Sequence, residues 1–480
     1  MRRIWTVAAA AVALTSTGVA EAAMPGVAFR STIGGPAGLP IACEGKRSDA
    51  GPQIGVDPGR SDRLRSVFVV DGEVAMAGSA SEDGGRTWQR AGIGSATRCS
   101  GGPAEREIVV NPLLAVGPGG RAVHGESWVG HRGGSFAFGI ATPSWDGRGD
   151  WAGGDTVASD AQNAAVAADP KRAGRVYLLW THLDQVPNPD TYAPTGADLR
   201  FAVSNDGGRS YGPARVVHEA EAGVVPVNSR LVIASDGTLA AIFDQTPLAN
   251  LPKAVLGIPV DLEVLALHSA DGGATWTKPE PIGTSAQFTI PDEEGGAPRG
   301  SAKPDLAAGP RGMLAAVWTE PAQNGRSTVE LVTSRDAGRT WSAERRTVDV
   351  PGSLIQPAVA IAGDGSLGIW WYDFRHDVPG DATLDTDAWF AGSQNGVTWQ
   401  ELHLDGPFDL RATNRCTSPT PLSTSCEVPA HAMAIGIQQD LVGLPRGFGA
   451  AYTVGPPLAR DGFTDARFAR IDLPRRRARR

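Results

Sequence analysis

The segment Ser81-Glu82-Asp83-Gly84-Gly85-Arg86-Thr87-Trp88 returns as Ser204-Asn205-Asp206-Gly207-Gly208-Arg209-Ser210-Tyr211, as Ser269-Ala270-Asp271-Gly272-Gly273-Ala274-Thr275-Trp276 and as Ser334-Arg335-Asp336-Ala337-Gly338-Arg339-Thr340-Trp341. Worn copies stand between them, at Ser144-Trp145-Asp146 with Trp151 and at Ser393-Gln394-Asn395-Gly396-Val397-Thr398-Trp399. The period, about sixty residues, is that of a repeat architecture in which one supersecondary unit cannot bury its apolar face alone. Serine and aspartate side chains bond nearby backbone groups, glycines permit positive φ, and the terminal aromatic covers the turn. The repeated aspartates are therefore folding residues, not catalysts.

Each copy follows an alternating strand such as Leu199-Arg200-Phe201-Ala202-Val203. Earlier in each unit comes a β-rich run ending in an aromatic, as in Val176 to Trp180, Leu314 to Trp318 and Leu367 to Tyr372, and before it a small-residue strand such as Ala165-Val166-Ala167-Ala168. Small residues suit the crowded axis of a propeller, so the unit reads as a four-stranded blade with the repeated hairpin between strands three and four. A seventh unit lacks the hairpin; Ala432 to Ile437, Gly447 to Val454 and Asp465 to Leu473 supply three strands. Gly26 to Ser31, from the other end of the chain, is expected to add the fourth and remove an exposed edge. The expectation is an all-β propeller of seven blades, with six as the alternative.

The Ser-x-Asp-x-Gly-x-Thr-Trp segments resemble the Asp-boxes of the sialidase superfamily, also called the BNR repeat family, across nearly the whole chain after its first residues. The resemblance implies a carbohydrate-active protein of the exo-α-sialidase type: a glycoside hydrolase acting on terminal anionic sugars with an arginine clamp, a tyrosine nucleophile and acidic partners. Sialidases are an exception to the two-carboxylate rule of glycosidases. Phe29-Arg30 matches the start of the family's Phe/Tyr-Arg-Ile-Pro motif, although Ser31-Thr32 follow it, and Arg30 is carried over as a substrate-binding candidate. Glu44-Gly45-Lys46-Arg47-Ser48-Asp49 resembles the segment that bears the acid/base aspartate. Superfamily scaffolds also carry other chemistry, so a polysaccharide lyase and a non-catalytic glycan- or protein-binding propeller stand as alternatives.

Strand direction places the functional face. If the boxes join strands three and four on one face, the links from strand two to three and from blade to blade lie on the other. Reading the ends of the second strands gives Glu126, His182 and Asp184, Asp244, Glu320, and Tyr372-Asp373-Phe374-Arg375. Tyr372 is the candidate nucleophile, Asp373 an acid, and Asp244 or Glu320 a partner base. Arg375 is the candidate carboxylate clamp, because guanidinium binds carboxylate bidentately, with His182 and Glu126 beside the substrate. Arg106, Arg132, Arg230 and Arg299 lie in or near the same links.

Compartment and partners follow from the ends of the chain and from its charge. Met1-Arg2-Arg3 and the alanine-rich run Thr6 to Val19 read as a signal peptide over residues 1–22, and Thr15-Ser16-Thr17 interrupt the run too early for a membrane span. Residues 24–474 are assigned to the propeller and 475–480 to a basic tail. Export to a secreted or periplasmic location suits four cysteines, for which Cys43 with Cys99 and Cys416 with Cys426 are the simplest pairings. A net charge of −8 argues against nucleic acid as partner and leaves a glycan as the expected ligand. No cysteine or histidine cluster has zinc-ligand spacing, so neither metal nor cofactor is expected.

Overall fold

Short runs of β-branched and small residues, cut by glycine-rich turns, favour strands over helices. The computed structural model describes residues 25–474 apart from the links 35–48, 71–74, 185–193, 251–259, 290–298 and 414–434 and some shorter stretches. It is an all-β propeller of seven antiparallel blades. The innermost strands, in chain order, are Asp49–Asp57, Arg106–Val116, Ala161–Ala168, Val224–Ile233, Asp305–Ala308, Leu354–Ile361 and Asp440–Gly443. Each blade then steps outward through three more strands, with the small additions Ser144–Trp145 in the second blade and Arg299–Gly300 in the fourth.

The ring closes as expected. Gly26–Thr32 pairs antiparallel with Asp465–Asp472, from Gly26 opposite Asp472 to Thr32 opposite Arg467, and becomes the outer strand of the seventh blade. That pairing excludes the six-blade alternative. One strand is displaced: the innermost strand expected over Ala432–Ile437 forms at Asp440–Gly443, while the Ile435 carbonyl accepts the Gly51 N–H of the first blade at 3.1 Å. The expected signal peptide, the basic tail, Cys43, Cys416 and Cys426 lie outside the described residues. Cys99 takes part in a disulfide.

Aromatic and branched side chains fill the seams between blades. Trp370, Tyr372, Phe390, Phe408, Phe448 and Tyr452 form one such cluster between the sixth and seventh blades, all of them buried. The hairpin repeat adds a second kind of seam contact. In the third blade the Ser204 hydroxyl donates to Asp206 Oδ1 at 2.7 Å and accepts the Gly208 N–H at 2.9 Å. Asp206 also accepts the N–H of Ser210 at 3.0 Å and its hydroxyl at 2.6 Å. The same network recurs around Asp83, Asp271 and Asp336. These bonds hold the Asp206 carboxyl at about 2, chiefly through the Ser210 hydroxyl. Gly273, at φ +92°, lies so close to Phe201 that a Cβ would meet the ring at 2.1 Å, and Trp276 meets the same ring edge-on. Gly85 packs likewise on Phe468. Each of these hairpins thus docks on the preceding blade, and only glycine allows the approach.

Asp206→Ala is expected to cost about 1–2 kcal/mol, the scale of a lost turn network, and to lower the thermal midpoint. Asp206→Asn loses less, because Asn395 holds the corresponding turn of the sixth blade by accepting the Val397 and Thr398 N–H groups, both at 2.8 Å. Thermal melts of the two variants check both statements; equal losses would contradict the equivalence.

Candidate functional site

The second strands run toward the face opposite the hairpins, and the candidates at their ends separate into three groups. In the sixth blade, Tyr372 and Asp373 close the strand Leu367–Asp373. Tyr372 is fully buried. Its phenol donates to the Thr453 carbonyl and accepts the Thr453 N–H at 2.9 Å, and burial pushes its pKa well above the ordinary tyrosine value. The hydroxyl's one proton is committed to a backbone carbonyl and its oxygen to a backbone N–H, so Tyr372 is corrected from nucleophile to core residue. Asp373 is equally buried and accepts the Trp371 indole N–H at 2.9 Å. Arg375 forks onto Asp373 at 2.7 to 3.1 Å, reaches Glu401 at 3.0 Å and lies over Trp389 at 3.8 Å. With two carboxylates already bound, its charge is spent within the blade and is not presented as an anion clamp.

Two further candidates sit elsewhere than expected. Arg30 belongs to the outermost strand of the seventh blade, where its Nε donates to the Leu404 carbonyl at 2.6 Å; it fastens the closing strand to the sixth blade, far out along the radius. Glu126 falls inside the strand Ala122–Arg132, not at its end, and is completely buried with His124. The Arg106 guanidinium lies 3.8 Å and the His124 imidazole 3.6 Å from its oxygens, too far for direct hydrogen bonds. His182 does stand at a strand end on the expected face, 3.7 Å from Asp184.

Asp244 and Glu320, by contrast, are bonded to the same stretch of the fourth blade, beside its seam with the fifth. Asp244, on Leu239–Pro247, is buried and accepts the Asn228 amide at 2.9 Å and the Ser285 hydroxyl at 3.1 Å. Glu320, on Leu314–Pro321, accepts the hydroxyl of Thr284, the residue next to Ser285, at 3.0 Å and the Trp318 indole N–H at 3.3 Å. Both carboxylates are thus held by consecutive residues of the fourth blade's outer strand, Glu280–Thr289. Burial pushes the Asp244 carboxyl up to about 7, against the hydrogen bonds of Asn228 and Ser285 and the charges of Arg230 and Lys303. Arg230 is paired with Asp305 at 3.2 Å, and Asn163, Asn228, Arg230 and Lys303 line a void of about 10 Å³ between the innermost strands. Such a group is protonated or ionised in comparable amounts at neutral pH, as acid–base chemistry requires.

A backbone device positions this lining. Gly51, Asn163, Asn228 and Gln356 all have φ between 53° and 59°, each at a register break near the start of an innermost strand. The bulge turns one polar side chain out of the ladder: Asn228 toward Asp244, and Gln356 toward the Gly436 carbonyl at 2.6 Å. Sequence reasoning passed over Asn163, Asn228, Ser285 and Lys303. The signal for the bulges was present, as a glycine or amide residue directly before Pro, Ala or Ser in Gly51-Pro52, Asn163-Ala164, Asn228-Ser229 and Gln356-Pro357.

No family model and no curated protein matches the sequence. Among solved structures, the chain is similar to the Hadza microbial sialidase Hz136 at 17% identity and a TM-score of 0.48, over 87% of this chain and 75% of that one. It is also similar to a protein of unknown function from Dyadobacter fermentans, at 13% identity and a TM-score of 0.47, over 76% and 98%. A leech intramolecular trans-sialidase matches at 14% identity and a TM-score of 0.42, over 90% and 70%. Identities this low carry no residue roles to this chain.

The Glu126 environment has a pH signature. Burial raises its carboxyl to about 8, opposed by Arg106, from an ordinary value of 4.5. Between those values the unfolded chain releases the proton and the folded one keeps it, so stability falls as pH rises through that window. Melting curves from about pH 5 to about pH 8 should therefore show a declining midpoint in the wild type and a flatter one in Glu126→Gln. Parallel slopes would contradict the burial of an uncompensated carboxyl.

Proposed function

We propose that the protein is an extracytoplasmic, carbohydrate-active propeller that cleaves glycosidic bonds at the seam between its fourth and fifth blades. The observation that carries this reading is the pair Asp244 and Glu320. One carboxyl is buried among neutral donors with its pKa raised to about 7, and the other, from the fifth blade, is bonded by the residue next to the first one's serine partner. A pair of carboxyl groups, one of them kept protonated by burial, is the usual equipment of glycoside hydrolysis. In this assignment Asp244 delivers a proton to the leaving oxygen, and Glu320 receives one from water or attacks the sugar carbon. Arg230 and Lys303 act on the charge of Asp244 from the innermost strands, and an anionic sugar stays the ligand class implied by the Asp-boxes while the chemistry moves off Tyr372.

The complete burial of Asp244 favours a second reading, in which it only fastens the Asn228 bulge and the face binds glycans without turnover. A panel of aryl glycosides, sialosides and uronides separates the two. Cleavage should fall at least a hundredfold in Asp244→Asn, with activity recovering on substrates whose leaving group needs no protonation, and should fall similarly in Glu320→Gln without that recovery. Turnover unchanged in both folded variants contradicts the seam as active site, and binding without any turnover in the wild type selects the second reading.

A further inference from the structure

A cleft of about 490 Å³ opens between the second and third blades, on the side of the Ser204–Tyr211 hairpin, opposite the face on which the second strands end. It exists because the second blade's copy of the hairpin is worn. Ser144–Trp145 folds back to pair with the second strand, Trp145 opposite Ala122, and the outer strand Thr156–Ser159 is only four residues long. Tyr211, where other copies have tryptophan, and Trp180 form the aromatic walls, Ser144 and Thr156 add hydroxyls, and Arg209 and Asp155 stand at the exposed rim. The volume lies in the range of small-ligand sites, whose usual lining is aromatic with a few placed polar groups.

Arg209 distinguishes this cleft from a packing gap. Its equivalents in other hairpins are engaged. Arg86 donates to the Asp83 carbonyl at 3.1 Å and lies over Phe29, and Arg339 donates to the Asp336 carbonyl at 2.7 Å and to Asp236 at 3.2 Å. The crevice between the fifth and sixth blades, about 210 Å³, likewise has its Arg346 bonded to the Val397 carbonyl at 3.1 Å. Arg209 bonds Asp206 only through its backbone N–H, at 3.1 Å, and its guanidinium has no ion pair or hydrogen bond among the described residues. Asp155, the other rim charge, acts on the buried guanidinium of Arg106. The cleft therefore offers an unused planar cation beside an aromatic face.

We propose that this cleft binds one acidic sugar unit, with its carboxylate paired to Arg209 and its ring laid against Tyr211. Bidentate pairing with guanidinium and stacking on an aromatic face are the two interactions that select such a group. The choice of a sugar rests on the carbohydrate reading above; the cation and the cleft do not. A second saccharide site on the hairpin side would hold a polymer to the protein while the seam acts on its end, raising the effective concentration of chain ends there.

The test is calorimetric titration of trigalacturonate, and of its methyl ester, into the full chain carrying Asp244→Asn, so that cleavage at the seam does not consume the probe. Should that chain melt early, Glu320→Gln replaces it as background. The acid should bind, the ester at least tenfold more weakly, and Arg209→Glu should weaken the acid at least tenfold while Arg209→Lys retains most of the affinity. Arg86→Glu, the same charge change at the corresponding position of the first hairpin, should leave binding unchanged. Absence of binding, indifference to Arg209→Glu, or an equal loss in Arg86→Glu would overturn the proposal. None of these outcomes depends on whether the seam turns over substrate, so the two readings fail separately.

Discussion

Closure of the ring by backbone pairing between Gly26–Thr32 and Asp465–Asp472 is the constraint on which the remaining geometry depends. A propeller left open would expose two strand edges and leave its first and last blades with one apolar face each uncovered. Once closed, innermost strands converge on the axis, where only small side chains and a few polar ones fit. Two aspartates there bind neighbouring blades directly. Asp305 accepts the Val359 N–H of the sixth blade at 2.9 Å, and Asp440 accepts the Ile54 N–H of the first at 2.8 Å, across the point of closure. Burial and the nearby Asp305 charge push the Asp440 carboxyl well above the ordinary aspartate value, opposed by the Ile54 and Leu441 N–H groups and Arg230.

The same crowding explains why the candidate chemistry lies at one seam. Bulges at Asn163, Asn228 and Gln356 relieve the innermost strands and project amides into the spaces between blades. At the fourth blade such an amide meets Asp244, and the outer strand contributes Ser285 from behind. The result is a carboxyl satisfied by neutral donors in a dry place, where ionisation is opposed by desolvation more than it is favoured by partners. At the sixth blade the buried carboxyl has a charged partner instead. Asp373 has a guanidinium forked onto it, and that pair satisfies itself at the expense of any reactivity.

The parts of the fold that were legible in the sequence are those whose interactions are local. The hairpin network around Asp206 lies within Ser204 to Ser210, so its spacing survives as a readable motif, and the closing strand announced itself because the seventh unit lacked a partner. The site was legible only in part. Asp244 and Glu320 stood out as candidates by their positions at strand ends, but the hydroxyls that hold them come from 41 and 36 residues away in the chain. Tyr372 misled because consecutive residues of a strand face opposite seams. Trp370 and Tyr372 turn into the seventh blade and Trp371 toward the fifth, and an unbroken aromatic run hides that parity. Arg375 was read as a carboxylate clamp, and its neutralisation was missed although Asp373 lies two residues away at the end of the same strand and within reach of its fork.

The proposed chemistry at the seam depends on the state of one carboxyl group. An NMR titration of carboxyl-labelled aspartate, with the Asp244 resonance assigned by its loss in Asp244→Asn, reads that state without a substrate. A midpoint near 7 is the result expected of a group buried among Asn228, Ser285 and the seam. A midpoint at the ordinary aspartate value, about 4, would mean that the seam is wet or its charges dominant, and would contradict the assignment of Asp244 as the proton donor.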